Sequence, residues 1–367
     1  MIGRNRVYKG HTAATGHGGA ILLFLLALLA IAALAAFSLL PEYLVYYPDG
    51  VEMIVPSLRE DGKGFTLEGV SAPQPYAGDA AAQLQISAPD YSMVNLGSDQ
   101  GLGYMQGMYV PFSKVTQANL DSLKNEAERN DIHGLVLQMK DESGMLAWMS
   151  TAAQASGFGT NSTWDMAADV AEMKAEGWYL AADISCAVDT AVATHSPELA
   201  LKDMAGQVYT NEQGAWVDLW SREVREYITD LCADLIDLGF DEIILSHVEH
   251  PLSEVGYTRE VGASLDRTAC AMSFAISLRQ NLNETLKKHS AHLCATLEHE
   301  ALSGGDIGNG QNLEYFLKVF DRVVVKTETY SEDAQAMVAL HYDSTLRYVP
   351  RMGWIFSGGS WIMDTIG

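Results

Sequence analysis

Carboxylate side chains follow several apolar segments of this sequence, where strands of a parallel sheet would end. The four that we select as candidate catalytic residues are Asp183, Glu249, Glu298 and Glu328. Glycoside hydrolysis needs one acid to protonate the leaving oxygen and a second carboxylate as nucleophile or base, roughly 5 to 10 Å away. We therefore expect Glu249 and Glu298, on neighbouring strands, to form such a pair, assisted by Asp183 or Glu328. The alternative is ordinary surface charge, because the chain has 47 acidic residues.

Polar and aromatic side chains near the same segment ends complete the predicted site. Lys140, Asp141 and His247 follow or end apolar segments and are predicted to contact substrate. Trp148 lies in a loop rich in glycine and serine, and Trp361 follows a pair of glycines. We predict that these two rings are exposed and stack on the apolar faces of sugars, although tryptophan also packs in cores.

The sequence gives less support to other reaction classes. His247, Glu249, His250, His299 and Glu300 could in principle collect a metal ion, but their spacing matches no strong metal signature. No G-x-S-x-G elbow is present, so a serine hydrolase is not expected. No glycine-rich nucleotide motif follows the first predicted strand. We expect neither a metal nor another cofactor.

The elements that would position these residues alternate between strand and helix. Predicted strands cover residues 104–110, 134–139, 178–184, 243–248, 292–297, 322–327, 347–352 and 354–356. Predicted helices cover residues 117–129, 164–176, 221–238, 265–289, 312–320 and 332–343. Such alternation produces parallel βα units. We predict an α/β fold, a (β/α)8 TIM-like barrel over residues 104–367, with a doubly wound sheet as the alternative. In a barrel of this kind the site lies at the carboxyl ends of the strands.

The N-terminal region has a different character. Residues 20–40 form an apolar run interrupted only by Ser38, long enough to cross a hydrocarbon core of about 30 Å. Residues 1–19 carry basic side chains and no acid, so the positive-inside rule places them in the cytoplasm and the remainder outside. We predict a single-pass anchor at 20–40 and an irregular extracytoplasmic linker at 41–103. A cleaved signal peptide is the alternative, since alanines near residue 35 could form a cleavage site.

The net charge of −24 argues against a nucleic-acid partner, because it repels polyphosphates. The four cysteines have no C-x-x-C spacing and lie in apolar or helical stretches. We therefore expect buried free thiols rather than a zinc site or disulfides.

Three stretches resemble a family of bacterial glycoside hydrolases with a TIM-barrel fold, described mostly as a domain of unknown function. They are residues 134–144 (GLVLQMKDESG), residues 197–203 with 215–218 (PELALKD and AWVD), and residues 238–243 (LGFDEI). The resemblance extends over about residues 104 to 361. It implies a barrel in a bacterial envelope or outside the cell, with a polysaccharide or other glycan as ligand.

The departures from this family fall at positions where the family carries charge. A run such as Asp-Tyr-Val-Arg-Phe-Pro is expected where residues 246–251 read SHVEHP. Ser246 then replaces an aspartate and Glu249 an arginine, while Gln138 replaces an aspartate and Asp183 an arginine. Serine and glutamine cannot transfer a proton or attack a sugar as a carboxylate does.

Two hypotheses follow from these departures. The first is a catalytically altered barrel that binds envelope or extracellular polysaccharide. The second is an active glycosidase with a rearranged pair, Glu249 and Glu298. Two strand-end carboxyl groups within about 10 Å across an open cleft would favour the enzyme. Carboxylates held in ion pairs would favour the binding module.

Overall fold

The computed structural model describes residues 44–47, 50–53, 91, 93–252, 257–258, 266–303, 307–327, 335, 344–354 and 358–364. The chain divides into two compact units, Met1–Gln85 and Ile86–Gly367. In the first unit, strand Leu44–Tyr47 pairs antiparallel with strand Gly50–Met53. The predicted anchor at 20–40, the cytoplasmic segment at 1–19 and Glu328 lie outside the described residues. Among the helices that are described, none is long and apolar enough to cross a membrane.

The second unit contains a closed barrel of eight parallel strands. We number them β1 (Gln106–Val110), β2 (Gly134–Lys140), β3 (Tyr179–Ser185), β4 (Glu242–Ser246), β5 (His292–Thr296), β6 (Val323–Lys326), β7 (Tyr348–Met352) and β8 (Trp361–Asp364). Each strand pairs with the next along the chain, and β8 pairs with β1 to close the ring. The predicted barrel is therefore confirmed, and strand ends that are far apart in sequence meet at one mouth.

The last strand corrects the sequence prediction. Residues 354–356 were expected to form the closing strand, but Trp354 lies in a bend and the strand is Trp361–Asp364. Trp361 pairs with Gln106 at the amino end of β8, where its ring is buried. The glycine pair before it ends the preceding loop, and both glycines have the positive φ that this residue allows.

Among the described residues, five helices surround the barrel, and their ends follow local sequence signals. They are α1 (Leu120–Arg129), α2 (Ala167–Ala175), α3 (Arg222–Leu238), α4 (Arg267–His289) and α5 (Leu313–Val319). Ser221 caps α3 by accepting a hydrogen bond from the Val224 amide, and Gly239 ends it in the left-handed conformation. Asp266 and Asn312 cap α4 and α5 in the same way.

Short elements fill the connections. Two further α-helices are Ala153–Gly157 and Thr190–His195, and two-residue strands pair as Lys202–Asp203 with Tyr257–Thr258 and Thr210–Asn211 with Gly214–Ala215. Single 3-10 turns occur at Phe112–Lys114, Gln117–Asn119, Pro197–Leu199, His299–Ser303 and Thr345–Arg347. Most of these elements follow the carboxyl ends of strands and surround the mouth.

The residues just before β1 belong to the barrel unit, so the last part of the predicted linker at 41–103 packs on that unit. The amides of Leu96 and Gly97 donate hydrogen bonds to the Lys318 carbonyl at 2.6 and 2.9 Å. The Ser98 amide donates to Asp321 Oδ1 at 2.9 Å. Composition suggested a free linker because the segment is rich in glycine and polar residues, yet its backbone is fixed to the end of α5.

The barrel interior is layered. Its central layer is apolar and consists of Val136, Ala181, Ile244, Cys294, Val324, Val349 and Ile362. Below it, Tyr179 donates a hydrogen bond to Glu242, and Glu242 is paired with Arg322 at 3.3 Å. The four cysteines are buried free thiols. The apolar layer separates this charged floor from the polar mouth.

Candidate functional site

One polar side chain from each strand faces the mouth of the barrel. Seven of these side chains lie two residues beyond a member of the central layer, and the one from β1 lies two residues beyond Gly107, because successive side chains of a strand alternate between faces. We call this set the mouth ring: Tyr109, Gln138, Asp183, Ser246, Thr296, Lys326, Arg351 and Asp364. Active sites of parallel barrels form at this end of the strands.

Asp183 lies at the centre of the hydrogen bonding in the ring. Its Oδ2 accepts a hydrogen bond from the Tyr109 hydroxyl at 2.8 Å, and its Oδ1 accepts one from the Ser246 hydroxyl at 2.6 Å. Only 3% of the residue is exposed. Burial raises the pKa of Asp183, against the lowering effect of these two hydrogen bonds and of Arg351. The predicted site residue is thus in the mouth, but both of its oxygens are engaged.

Arg351 forms the opposite side of the ring. Its Nε donates a hydrogen bond to Asp364 Oδ1 at 2.6 Å, and its guanidinium carbon lies 3.3 Å from the centroid of the Tyr109 ring. Such stacking adds to the attraction between the two groups. The two contacts fix the plane of the guanidinium group.

His247 stands above the ring between two glutamates. Its Nε2 lies 3.3 Å from Glu142 Oε1 and its Nδ1 lies 3.3 Å from Glu249 Oε1. His247 directly follows β4 with φ of 55°, a left-handed conformation that is uncommon for residues other than glycine. Strain of this kind often occurs at functional sites.

His247 and Glu142 each stabilise the charged form of the other. Burial alone would lower the pKa of His247, but the hydrogen bonds and charges of Glu142 and Glu249 raise it to about 9. The pKa of Glu142 is lowered, chiefly by its hydrogen bond with His247. His247 is therefore a cation at neutral pH, held between two carboxylates.

The two members of the predicted catalytic pair differ in environment. Glu249 is only 5% exposed, and its second oxygen accepts a hydrogen bond from Asn309 at 3.0 Å. Glu298 as a whole residue is exposed. Its carboxyl group is nevertheless partly shielded from solvent, and this shielding, together with the charges of Glu249 and Glu300, raises the pKa of Glu298. Both lie above the mouth after neighbouring strands, so the structure brings them to one region but leaves only Glu298 accessible.

Lys140 has a structural environment, which corrects its prediction as a substrate contact. It is completely buried, lies 2.9 Å from Asp189 Oδ2 and donates a hydrogen bond to the Ser185 carbonyl at 2.7 Å. A bulge in the pairing of β2 with β3 occurs between Gln138 and Lys140. Asp141 accepts hydrogen bonds within its own turn from Ser143, and its contact with substrate stays a prediction.

The two tryptophans predicted to be exposed are buried, so that prediction is wrong. Trp148 is fully buried and its Nε1 donates a hydrogen bond to Asp234 of α3 at 2.8 Å. Trp361 lies at the amino end of β8, away from the mouth. The aromatic residue that follows a strand at the mouth is instead Trp354, which comes two residues after β7 and is 47% exposed.

Several members of the site were not identified from the sequence. Tyr109, Arg351 and Asp364 were missed because their strands had not been aligned with one another, and Trp354 was assigned to a strand. Glu142 directly follows Lys140 and Asp141 in the sequence but was not selected with them. In seven of the strands, the ring member is the second residue after the apolar residue of the central layer, so this spacing is the signal that could have found the ring. In the part of the chain that is described, no group of three or more His, Cys, Asp or Glu side chains could hold a metal ion.

Comparison with protein families identifies the chain. Residues 107–325 match the model of a family described as “Putative glycosyl hydrolase domain”, so the chain belongs to that family. This confirms the resemblance inferred from residues 134–144, 197–218 and 238–243. No curated protein sequence matches the chain significantly.

Solved structures also match the chain, at low identity. One is a hypothetical protein from Ruminiclostridium thermocellum, with 17% identity over 51% of this chain and 96% of that one, at a TM-score of 0.42. The glycoside hydrolase domain of PgaB from Bordetella bronchiseptica has 11% identity over 68% and 84%, at 0.47. An exo-β-N-acetylglucosaminidase from Vibrio harveyi has 12% identity over 68% of this chain and only 41% of its own, at 0.43. At such identities and TM-scores, none of these likenesses indicates the activity of this chain.

Proposed function

We propose that this member of the glycosyl hydrolase family binds a polysaccharide at the mouth of its barrel and that Glu249 and Glu298 do not act as a hydrolytic pair. The observation that carries the proposal is the engagement of Glu249, whose two oxygens contact His247 and Asn309. A nucleophile or base must present a lone pair to the substrate or to water. Glu249 is buried and serves as an ion-pair partner instead.

The remaining ring positions support the same view. Gln138 and Ser246 are not acids, Asp364 is paired with Arg351, and Asp183 accepts two hydrogen bonds. Gln138 accepts a hydrogen bond from the Phe112 amide and lies within 3.4 Å of Glu142. The acids of the ring are therefore held by partners within the chain, while the ring as a whole offers a polar surface able to line a glycan site, with Trp354 near its rim.

A second candidate function is an active glycosidase, and Glu298 is the observation that favours it. Its raised pKa suits a general acid, which must hold its proton near neutral pH. Asp183, which also has a raised pKa, would then be its partner rather than Glu249. In this alternative the two carboxyl groups come from the ends of β3 and β5.

The test combines cleavage and binding with the full-length protein. Wild type, Glu298→Gln and Asp183→Asn are incubated with a panel of bacterial and plant polysaccharides, and reducing ends and bound glycan are both measured. Glu284→Gln, an exposed change on α4, is the matched control. The proposal expects retained glycan and no reducing ends from any of the four proteins. Reducing ends from wild type and control that disappear in Glu298→Gln would establish the glycosidase.

We also propose that the barrel is displayed outside a bacterial membrane by residues 20–40. The support is the apolar run and the basic residues before it. Intact cells treated with protease should lose the barrel, and the protein should stay with membranes washed at alkaline pH. Release by that wash would favour cleavage or another mode of attachment.

A further inference from the structure

Two cationic side chains of the mouth ring are immediate neighbours. Lys326 is the last residue of β6, and Arg351 of β7 is its direct partner in the parallel pairing. Lys326 lies on the same face as Val324, and Arg351 on the same face as Val349, both of which line the barrel interior. Two positive charges therefore face the mouth from adjacent strands.

The guanidinium group of Arg351 is positioned before any ligand arrives. Its Nε is bonded to Asp364 and one face lies on Tyr109, and these contacts leave both Nη groups without a hydrogen bond among the described residues. The side chain is 20% exposed. A guanidinium edge held in this way matches the two oxygens of a carboxylate, and little side-chain freedom is lost on binding.

The rest of the mouth restricts what such a ligand can be. Glu142 and Glu249 lie after β2 and β4, Glu298 follows β5 beside the strand of Lys326, and the whole chain carries a net charge of −24. A ligand with an acidic group on every sugar would be repelled by these carboxylates. A glycan with one acidic group among neutral sugars can place that group on the cationic pair and the neutral sugars elsewhere.

We propose that Arg351 and Lys326 form a subsite for the carboxylate of a uronic acid, so that the ligand is a glycan carrying isolated uronic acid residues. This inference rests on the proposed function, since it names the class of glycan bound at the same mouth. Arg351 supplies the paired hydrogen bonds, and Lys326 supplies a second charge at the exposed rim. Asp364 and Tyr109 act as positioning residues for Arg351.

The experiment measures binding by calorimetry to oligosaccharides that each carry one uronic acid among neutral sugars. Each acid is compared with its own methyl ester, which has the same size but no charge. For wild type, we expect at least one acid to bind about tenfold more tightly than its ester, as charge-assisted hydrogen bonds require. A sulfated oligosaccharide of the same length tests whether the subsite needs a planar carboxylate.

Variants separate the subsite from general electrostatics. Lys326→Gln and Arg351→Lys should each abolish most of the preference for acid over ester, the second because lysine keeps the charge but lacks the fork. Lys287→Gln, at an exposed position near the end of α4, removes the same charge elsewhere and should leave the preference unchanged. Free energies of unfolding identify any variant that fails to fold, in which case Lys326→Gln decides.

The outcomes also separate this inference from the proposed function. Esters and neutral glycans that bind as tightly as the acids would overturn the uronate subsite but leave glycan binding intact. A preference for acid that persists in both variants would also overturn it. If no glycan of any kind binds, the proposed function fails and the subsite fails with it.

Discussion

The protonation of His247 should make the stability of the barrel depend on pH in the alkaline range. Histidine has an ordinary pKa of 6.5, whereas Glu142 and Glu249 raise the pKa of His247 to about 9 in the folded chain. The folded state therefore binds this proton more tightly than the unfolded state. The resulting stabilisation is complete below pH 6.5 and is lost as the pH rises through about 9. Since one pKa unit corresponds to about 1.4 kcal/mol, its size is about 3 kcal/mol.

The perturbation is His247→Asn. Asparagine tolerates the left-handed conformation of residue 247 but carries no charge, so backbone strain is not confused with charge. Urea unfolding of wild type and variant is followed from pH 6 to 10 by tryptophan fluorescence. All seven tryptophans belong to the unit Ile86–Gly367, so the signal reports the barrel.

We expect wild type to exceed the variant most at pH 6 and the difference between them to shrink by about 3 kcal/mol by pH 10. A second observable is the ring signal of His247 in NMR, assigned by its disappearance in the variant, which should titrate near pH 9. A difference in unfolding free energy that is constant from pH 6 to 10 would refute the reasoning. It would mean that His247 is neutral in the folded chain and donates a hydrogen bond to only one of the two glutamates.

Three further predictions concern Lys140, Gly97 and Trp354. Lys140→Met should lower the free energy of unfolding by about 3 to 5 kcal/mol, because it leaves Asp189 charged and buried, and the double variant with Asp189→Leu should recover part of this loss; additive losses in urea unfolding would contradict it. Gly97→Ala should cost about 2 kcal/mol or more, since its new Cβ would overlap the carbonyl oxygens at the end of α5, whereas Gly103→Ala, with open space around it, should be nearly neutral; equal melting temperatures for the two variants would exclude this packing. Trp354→Ala should weaken binding of any glycan retained by wild type about tenfold, while Trp354→Phe keeps most of it; unchanged retention by the alanine variant would remove Trp354 from the site.

Elements with local signals were predictable from the sequence. The predicted helix at 221–238 differs from the observed Arg222–Leu238 only in its capping residue, because Ser221 and Gly239 mark its two ends chemically. Strand β8 was missed, since a run of only four residues becomes a strand only through pairing with β7 and β1. Its amino end follows two glycines, a composition that resembles a loop. Strands of this length depend on their neighbours more than on their own residues.

The candidate site was predictable in its strand ends but not in its contacts. Asp183, His247 and Glu249 could be placed at the mouth because each ends or follows an apolar strand. Which of them is accessible depends on pairs such as Glu249 with Asn309, which are 60 positions apart in the chain. Trp148 illustrates the same limit. Its ring is buried and its Nε1 donates a hydrogen bond to Asp234 of α3, a contact that the composition of the loop cannot reveal.

At three positions of the mouth ring the net charge equals the one that the family resemblance implies, but a different residue carries it. Aspartate, arginine and aspartate are expected where this chain has Gln138, Asp183 and Ser246, and both sets sum to a net charge of −1. The Ser246 hydroxyl donates to Asp183 where a guanidinium group would have faced a carboxylate. A cation is still present near Asp183, but it is Arg351 from β7, which lowers the pKa of that aspartate. Ser246 donates to Asp183 and Gln138 accepts from the Phe112 amide, so the polar groups at these three positions have hydrogen-bond partners within the chain.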